Sequence, residues 1–599
     1  MTDNKEIRIS IPALARVEGE GALDVVISDG QITDLKLRIY EPPRYFEKFL
    51  EGRMYHEVPD IVARICGICP VAYQMTAVQA LESICDVAVT PWIRDMRQVL
   101  YCGEWIQSHS LHMHLLALPD FLGFNSIMEM AADYPQEVQR GMRLQAAGND
   151  LMSLLGGRSV HPVGIIPGGF SRAPEAVAVS RMVDTLAVAT DDAQQLLRWL
   201  VTLDLPVVEQ QFVSVAMRSA PAYPLYQGRI ISSQGLDIDK QEFAEHFSEF
   251  QVPHSTALHC LLDGQAYLVG PLARLNLNHD CLPEHLQVLL DELGIQFPVR
   301  NMFCSVIARA VEVCYALHEA QRLLEQYRLP DQAAVAVIPR SGVGFGCTEA
   351  PRGVLWHRYE LDDTGRIVSA RIVPPTSQNQ ARIEDDLRQS LTAHGLERDE
   401  DSLRLMGEKV IRNYDPCISC ATHFLKLSVR NESVLVPEKS PIEDDIAFDK
   451  TTSSVAVIGV GSAHGADQLG YDVIRWLEKN DSVQRADVAV YYLDHFDMSF
   501  IKHIAAVEQI IFVDAMQAGR AKGSLIMVKG KDKDVSTRQA NISSHEMGLQ
   551  EYIVWLQTML DEGVDISVIG LDTGGDAAWC YQEKDIQAVA MAILKMLSS

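Results

Sequence analysis

The chain has 599 residues, of which 47% are hydrophobic and 22% are charged. This composition is typical of globular proteins and excludes long disordered regions, and the length allows two or more domains. The 52 lysines and arginines against 80 acidic residues give a formal net charge of −28, which argues against nucleic acids and anionic membrane surfaces as partners. We expect a cytoplasmic protein, because no apolar run reaches the roughly 18 residues of a membrane-spanning helix and the first residues lack the apolar segment of a signal peptide.

The first predicted element is a β-hairpin, because apolar and polar residues alternate on both sides of the turn-forming pair Asp29–Gly30. From about residue 71 to residue 327 a helical spacing of apolar residues dominates, most clearly in the segments Trp92–Leu118, Pro174–Leu203 and Val299–Tyr327. A second β-rich segment, residues 353–375, follows the turn-rich stretch SGVGFGCTEAPRG. These patterns predict a mainly helical α+β domain with a β-rich N-terminal part over residues 1–430.

The remainder of the chain has a different pattern. Residues 431–453 are polar and charged, which predicts an exposed linker. Over residues 454–599 apolar strands such as VAVIGVG, QIIFVDA and DISVIGLD alternate with amphipathic helices, one of them predicted from His545 to Leu560. This alternation predicts a compact α/β domain with a parallel or mixed sheet.

Two of the cysteine spacings predict a metal site. Among twelve cysteines, Cys66 and Cys69 form one CxxC pair, and Cys417 and Cys420 form another. In a cytoplasmic chain such pairs indicate thiolate metal ligands before they indicate disulfides. The residue types alone leave zinc, an iron–sulfur cluster, nickel, iron or a redox pair open.

The surroundings of the two pairs resemble the signature motifs of nickel–iron hydrogenase large subunits. RxCGxC spans Arg64–Cys69 and DPCxxCxxH spans Asp415–His423. Three shorter motifs of that family occur in the same order, namely RVEG at Arg16–Gly19, FE at Phe46–Glu47 and APRG at Ala350–Gly353. The resemblance covers residues 5–430 and is strongest to the cytoplasmic, pyridine-nucleotide-linked branch. One departure is Tyr73, where many members have histidine, and it puts the hydrogen bond made at that position in doubt.

The resemblance implies a nickel–iron centre in which all four cysteines bind nickel. Cys69 and Cys420 would also bridge to an iron that carries cyanide and carbon monoxide, while Cys66 and Cys417 would be terminal on nickel. It further implies a magnesium site formed by Glu47 and His423.

The resemblance also implies roles for residues around this centre. Cys417 would accept the proton when dihydrogen is split, and Glu18 would relay that proton outward, which requires a carboxyl that changes protonation near neutral pH. Arg352 would lie over the metals, with Asp120 and Asp415 as its carboxylate partners.

The C-terminal domain resembles hydrogenase maturation endopeptidases. Its glycine turn, Gly459–Gly465, lacks the full spacing of a dinucleotide-binding motif. The resemblance implies a metal-sensing set that binds nickel transiently, namely Asp467, Asp514 and His545. In the hydrogenase family the precursor is cut after the histidine of DPCxxCxxH, which is the bond His423–Phe424 in this chain. The alternative is a degenerate α/β domain kept for stability or interaction.

The resemblance therefore predicts reversible heterolysis of dihydrogen, catalysed by this subunit. We expect an iron–sulfur small subunit, flavin- and NAD(P)-binding diaphorase subunits and maturation chaperones as partners. Two other functions stay open at the level of sequence, a non-catalytic hydrogenase-like sensor or scaffold and a four-cysteine zinc protein.

Overall fold

The computed structural model describes residues 6–422, 454–460, 469–478, 488–493, 507–516, 523–529, 564–572 and 582–597. The chain separates into two compact units, Met1–Arg430 and Asn431–Ser599. The predicted linker, residues 431–453, lies outside the described residues. Among the helices of the described residues, none has the length and hydropathy needed to cross a bilayer.

The first unit combines short sheets with long helices. Its strands are β1 (Glu6–Ile11), β2 (Gly21–Ser28), β3 (Gln31–Ile39), β4 (Ile165–Ile166), β5 (Gly169–Phe170), β6 (Val215–Arg218), β7 (Arg229–Ser232), β8 (Asp237–Ile238), β9 (Phe247–Gln251), β10 (Leu258–Leu262), β11 (Gly342–Ala350), β12 (Gly353–Leu361) and β13 (Ile367–Val373). Its helices are α1 (Phe46–Leu50), α2 (Val58–Ala63), α3 (Pro70–Ile84), α4 (Pro91–Leu111), α5 (Leu118–Leu122), α6 (Ile127–Asp133), α7 (Pro135–Gly156), α8 (Ala176–Leu200), α9 (Phe243–His246), α10 (Pro271–Asn278), α11 (Glu284–Glu292), α12 (Ser305–Glu325), α13 (Pro375–His394), α14 (Glu400–Tyr414) and α15 (Ile418–Ala421).

Long helices form the core of this unit and confirm its predicted mainly helical character. Helices α4, α7, α8 and α12 pack against one another. Helix α4 begins where the Thr90 side chain accepts a hydrogen bond from the Ile93 amide at 3.3 Å, with Pro91 in the first turn. A π-helix, His112–Ala117, continues from α4, and both of its histidines are buried.

The predicted N-terminal hairpin is confirmed as β2 and β3 of an antiparallel sheet with the order β1-β2-β3. Its two turn residues, Asp29 and Gly30, have φ angles of 52° and 72°. Positive φ at both central residues is the conformation that matches the twist of a two-residue hairpin, and Asp-Gly favours it.

Two features of the strand content differ from the sequence prediction. Strands β6 to β10 interrupt the region predicted as helical, because strands of two to five residues are too short to give a clear alternation. Strand β11 occupies the stretch predicted as turn-rich. Its glycines allow close packing on α3, since a Cβ atom at Gly344 or Gly346 would lie 2.3 Å from the Ala80 carbonyl oxygen or 2.0 Å from the Thr76 carbonyl oxygen.

The second unit contains a mixed sheet, as predicted. Its described strands are β14 (Val455–Val460), β15 (Val488–Leu493), β16 (Gln509–Met516), β17 (Leu525–Lys529) and β18 (Asp565–Asp572), and its described helices are α16 (Leu469–Glu478) and α17 (Glu583–Leu597). The strand order is β15-β14-β16-β18-β17, with β17 antiparallel to β18 and the other neighbours parallel. This sheet confirms the predicted α/β class for the C-terminal part.

Candidate metal centre

The four cysteines of the two CxxC pairs converge in the interior of the first unit. Cys66, Cys69, Cys417 and Cys420 are buried, with exposed fractions of 1 to 3%. Their sulfur atoms all lie within 4.8 Å of one another. The Sγ atoms of Cys66 and Cys417 are 3.5 Å apart, and those of Cys417 and Cys420 are in contact. Residues from both ends of the unit therefore form one cluster of four sulfurs.

Local backbone structure positions the first pair. Cys69 immediately precedes α3, whose first residue is Pro70. The Cys66 sulfur accepts hydrogen bonds from the amides of Ile68 at 3.4 Å and Cys69 at 3.2 Å. Burial opposes ionisation of Cys66, but the hydrogen bonds with Cys69 and the charge of Arg352 outweigh it, so the pKa of the Cys66 thiol is lowered. Burial raises the pKa of Cys69 well above its ordinary value.

The end of α14 positions Asp415 and, one residue further on, the Pro416 that leads into the second pair. Asp415 has φ and ψ angles of 57° and 54°, a left-handed conformation that ends the helix and that aspartate tolerates better than most residues. The amide of Cys417 donates to the Thr376 hydroxyl, at 3.0 Å, on the first turn of α13. The amide of Ile418 donates to the Glu18 carbonyl oxygen at 3.0 Å, which joins the second pair to the N-terminal segment.

The guanidinium of Arg352 is buried beside the sulfur cluster. It donates through Nη2 to the Asp415 carboxylate at 2.9 Å and through Nε to the Asp415 carbonyl oxygen at 2.7 Å. Its Nη1 atom has no hydrogen-bond partner in the part of the chain that the structure describes. Burial lowers the pKa of Arg352, but Asp415, Cys69 and Cys66 raise it more, so this side chain is a permanent positive charge. A buried donor and a fixed charge are therefore available at the edge of the cluster.

Glu18 is the predicted site carboxylate that lies next to the second pair. Its Oε2 atom accepts a hydrogen bond from the Ser419 amide at 3.1 Å. Burial raises the pKa of Glu18 in spite of this hydrogen bond and the charge of Arg352. The carboxyl can therefore exchange a proton closer to neutral pH than an exposed glutamate.

The prediction that Asp120 is a partner of Arg352 is wrong. Asp120 contacts Arg16 Nη2, and it accepts from Arg412 Nε at 2.7 Å and Arg412 Nη2 at 3.1 Å. Asp120 therefore ties α5 to α14 and the N-terminal segment. The second cation on Asp415 is Arg309, whose Nη1 lies 3.5 Å from Asp415 Oδ2.

Arg309 belongs to a buried ionic network that was not predicted. Its Nη1 is 3.3 Å from His109 Nδ1, and His109 Nε2 is 2.9 Å from Glu312. Both Glu312 carboxylate oxygens accept from Arg274 at 2.8 Å. Arg309 and Glu312 lie among mainly apolar residues of α12, so the sequence pattern predicted a packed helix and gave no sign of this network.

Arg274 connects the network to the turn that carries Arg352. It donates to Glu349 at 2.9 Å, to the Ala350 carbonyl oxygen at 2.7 Å and to the Pro351 carbonyl oxygen at 2.9 Å. Arg274 and Glu349 are fully buried. A continuous set of ionic and hydrogen-bonded side chains therefore supports the APRG motif from behind.

Glu104 is another buried carboxylate that was not predicted. It accepts from the amides of Val71 at 2.6 Å and Ala72 at 3.0 Å, in the first turn of α3. These amides have no partner within the helix, so Glu104 fixes the start of the helix that follows Cys69. Burial raises its pKa well above the ordinary value of a glutamate.

Tyr73, at the position where many family members have histidine, lies in the same helix, α3. Tyr73 is 1% exposed, and its hydroxyl has no hydrogen-bond partner among the described residues. Its ring lies 5.7 Å from the ring of His357, centroid to centroid. The described contacts thus supply no hydrogen bond from this position.

Several predicted site residues are placed only in part. Glu47 accepts a hydrogen bond from the Ile372 amide at 2.7 Å, whereas His423 and the bond to Phe424 lie outside the described residues. In the second unit Asp514 is buried near the carboxyl end of β16. Asp467 and His545, and with His545 the predicted helix, lie outside the described residues.

Comparison with known proteins decides the family. The nickel-dependent hydrogenase family matches residues 44–142 and 260–423, which include both cysteine pairs. Sulfhydrogenase 1 subunit alpha of Pyrococcus furiosus is 32% identical over 428 residues, which are 71% of this chain and 100% of that protein. The chain belongs to the nickel-dependent hydrogenase large-subunit family. The beta subunit of the NAD-reducing hydrogenase HoxS from Cupriavidus necator is 28% identical over 472 residues, 70% of this chain and 95% of that subunit.

Solved structures show the same fold for this hydrogenase subunit. The NAD+-reducing NiFe-hydrogenase in its H2-reduced state has a TM-score of 0.65 and 26% identity, covering 70% of this chain and 100% of that one. A NiFeSe hydrogenase from D. vulgaris Hildenborough, at 22% identity and a TM-score of 0.59, agrees in fold. Residues 495–574 match the hydrogenase maturation protease family. This hydrogenase large subunit therefore carries a maturation protease domain at its C-terminus.

The donor set fits the nickel–iron centre that the family implies. Four buried thiol sulfurs within 4.8 Å are soft ligands in a dry space, and one of them has a lowered pKa. Burial and the neighbouring thiol oppose ionisation of Cys69, and a bound metal cation would offset both effects. The positive charge of Arg352 beside the sulfurs is appropriate for a thiolate-rich centre.

Proposed function

We propose that this chain is the catalytic subunit of a nickel–iron hydrogenase that splits dihydrogen reversibly into protons and electrons. When bound, the nickel–iron pair supplies the Lewis acid that polarises dihydrogen. Cys66, Cys69, Cys417 and Cys420 would hold the nickel, and Cys69 and Cys420 would also hold the iron, which would carry cyanide and carbon monoxide. The convergence of the four sulfurs within 4.8 Å carries this proposal.

In this proposal the chain itself moves the proton. The Cys417 thiolate takes the proton from dihydrogen. The Glu18 carboxyl, which accepts a hydrogen bond from the amide of Ser419, two residues after Cys417, passes it outward. Arg352 holds its charge and its remaining donor over the cluster while Asp415 fixes its orientation. Glu47 and His423 would hold a magnesium ion. Asp120 supports the site indirectly, through Arg412 and Arg16.

We infer that electrons leave through an iron–sulfur small subunit and pass to NAD(P) through flavin-containing diaphorase subunits. Outside the four-cysteine centre, the described residues contain no second cysteine cluster for an iron–sulfur centre. The likeness to NAD-reducing hydrogenases supports a pyridine nucleotide as the acceptor. The compartment in this proposal is the cytoplasm.

The decisive test of the function is the variant Cys417→Ser in the purified complex. We expect wild-type protein to contain nickel and to reduce a redox dye with dihydrogen, and the variant to lose both properties, because the cluster loses a ligand. Cys304→Ser is the matched control, since Cys304 lies outside the cluster. Zinc without nickel in wild-type protein would favour a zinc protein instead. Nickel without sustained turnover would favour a sensor or scaffold.

The proton-relay role of Glu18 predicts a different result for Glu18→Gln. The amide keeps an acceptor for the Ser419 amide but cannot release a proton, so we expect the dye-reduction rate to fall roughly 10²-fold or more. Nickel content, measured on the same preparation, should stay at the wild-type level. The control is Glu20→Gln, at an exposed position two residues further on. Equal rates for the two variants would contradict the relay.

We further propose that the C-terminal domain, residues 454–599, which follows the linker 431–453, processes the large-subunit domain, residues 1–430, of the same chain or of a sister chain. Cleavage between His423 and Phe424 would follow nickel insertion by maturation chaperones. Asp467, Asp514 and His545 would sense the metal by binding nickel transiently. Asp514, buried near the carboxyl end of β16, supports this assignment, since ligands of open α/β sheets are found at that edge.

Processing predicts a change in intact mass. Cells that insert nickel should yield a fragment of about 47 kDa, in proportion to 423 of 599 residues, rather than the full 66.6 kDa. In Asp514→Asn we expect the full-length chain to accumulate, when no other such peptidase is present. Asp565→Asn, at the opposite end of the sheet, is the control. Full cleavage of the Asp514 variant would refute the assignment.

A further inference from the structure

A second group of metal-ligating side chains lies on the first unit, apart from the cysteines. The loop between β9 and β10 supplies His254, β10 supplies His259, and α13 supplies Glu384. One ligand atom from each residue lies within 4.8 Å of the other two. The geometry points to a binding site for one divalent transition-metal ion, with Zn²⁺ as the ion expected.

Distances between the donor atoms suit a single ion. His254 Nε2 lies 2.9 Å from Glu384 Oε1, and His259 Nε2 lies 3.9 Å from Glu384 Oε2. An ion with tetrahedral bonds of about 2.0–2.1 Å holds its donors roughly 3.3–3.4 Å apart. Each histidine nitrogen is therefore within about half an ångström of this spacing from a Glu384 oxygen, and all three donor atoms lie within 4.8 Å of one another.

His259 gives an independent reason to expect a ligand. Its side chain is 1% exposed, yet Nε2 forms no hydrogen bond among the described residues, and its distance to Glu384 is too long for one. A buried imidazole nitrogen of this kind is costly, because it has lost its hydrogen bond to water and has formed no other. A metal ion between His259 and Glu384 would satisfy it.

The chemistry of the set favours zinc. Two imidazoles and one carboxylate are a ligand combination that zinc accepts, leaving a fourth position for water. The side chains of His254 and Glu384 are 19% and 20% exposed, so an ion can enter from that side. A surface cavity of about 460 Å³, lined by residues 251–256 together with Ile39 and Tyr40, opens beside His254.

The site would join three parts of the fold. Glu384 Oε1 also accepts from the amide of Leu37 in the edge strand β3, at 3.0 Å. The Thr256 amide donates to the Ile39 carbonyl oxygen at 2.8 Å. A metal at this place would therefore clamp β3, the β9–β10 hairpin and α13, the helix whose first turn contacts Cys417 through Thr376.

Zinc content and affinity of the purified full-length complex test the site. Protein freed of loosely bound metal with a chelator is titrated with Zn²⁺ against a chromophoric competitor, in wild-type protein and in His259→Gln and Glu384→Gln. We expect one Zn²⁺ per chain in the wild type, and affinity reduced at least about 100-fold in each variant. The matched control is His246→Gln, which alters another histidine near an acidic residue, Asp263, without a third ligand.

A spectroscopic measurement on wild-type protein keeps the test independent of the folding of the variants. Co²⁺ bound by histidine and carboxylate should give ligand-field bands without the sulfur-to-metal charge-transfer absorption that cobalt at the cysteine cluster would give. In wild-type protein, ligand-field bands without charge transfer support the site. Absence of such bands, or Zn²⁺ affinity unchanged in both variants, would overturn it and leave the three residues as a hydrogen-bonded cluster.

Discussion

Replacing Arg352 by lysine is expected to lower the dihydrogen-dependent rate about 10²- to 10³-fold, while nickel stays at its wild-type content. Arg352 makes two directed hydrogen bonds to Asp415, one to the carboxylate and one to the backbone carbonyl. Its third nitrogen, Nη1, is buried and has no hydrogen-bond partner in the part of the chain that the structure describes. Lysine keeps the positive charge. It cannot make the planar two-point contact with Asp415 and also keep a third nitrogen as a donor.

The measurement is dye reduction by dihydrogen together with metal analysis of the same sample. Arg358→Lys is the control, because Arg358 lies on β12 like the residues that follow Arg352 but contacts exposed groups. A rate for Arg352→Lys within twofold of the control would show that the charge alone is sufficient and that the orientation set by Asp415 has no catalytic role.

Replacing Arg274 by methionine is expected to destabilise the first unit by about 3–5 kcal/mol, because two buried carboxylates lose their counter-ion. The guanidinium of Arg274 contacts Glu312 through two hydrogen bonds and Glu349 through one. All three side chains have 0% exposure, so water cannot replace the lost partner. The carbonyl oxygens of Ala350 and Pro351 also lose a donor, and the turn that carries the next residue, Arg352, becomes looser.

Denaturant unfolding of the wild type and two variants measures this effect. Arg198→Met removes an ion pair with Glu292 in which the two side chains are 50% and 57% exposed, and it should cost no more than about 1 kcal/mol. A loss for Arg274→Met no greater than that of the control would show that the buried carboxylates have become protonated without strain.

The protonation states of the two glutamates explain why the loss should be large at neutral pH. Burial opposes ionisation of Glu312, but Arg274 outweighs it, so the pKa of Glu312 falls to about 2. Its ionic contribution to stability is present above the pKa of an unfolded glutamate and is lost as the pH falls toward 2. Burial instead raises the pKa of Glu349 to about 7. Without Arg274, Glu312 would keep its hydrogen bonds with His109 and Tyr223 but lose its two-point contact with a cation.

The sequence was most informative where chemistry restricts residue type and spacing. The pairs at Cys66–Cys69 and Cys417–Cys420 identified the cluster, and the Asp29–Gly30 turn identified the hairpin, because few other residues satisfy those requirements. The partnership of Arg352 with Asp415 was likewise placed correctly.

What could not be predicted depends on contacts between distant segments. Asp120 pairs with Arg412 instead of Arg352, and a choice between two arginines follows from how α5 and α14 pack. Arg274 and Glu312 are buried ions in apolar helices, where a charged residue is more often solvent-exposed, so only tertiary structure shows that they meet. The glycines of β11 were predicted to form turns. They are needed for close packing on α3, and this contact between distant segments is not visible in the sequence.

The distance along the chain between the two halves of the cysteine cluster has a consequence for biosynthesis. Cys66 and Cys417 are separated by 351 positions, so no nascent chain can offer all four thiols until nearly the whole first unit has been made. The match to the maturation protease family ends at residue 574, 154 residues after Cys420, and translating them takes about 8–30 s at roughly 5–20 residues per second. The order of the polypeptide therefore completes the ligand set before the protease domain exists, and every newly made chain passes through an interval in which the metal pocket can form while the protease is still unfinished.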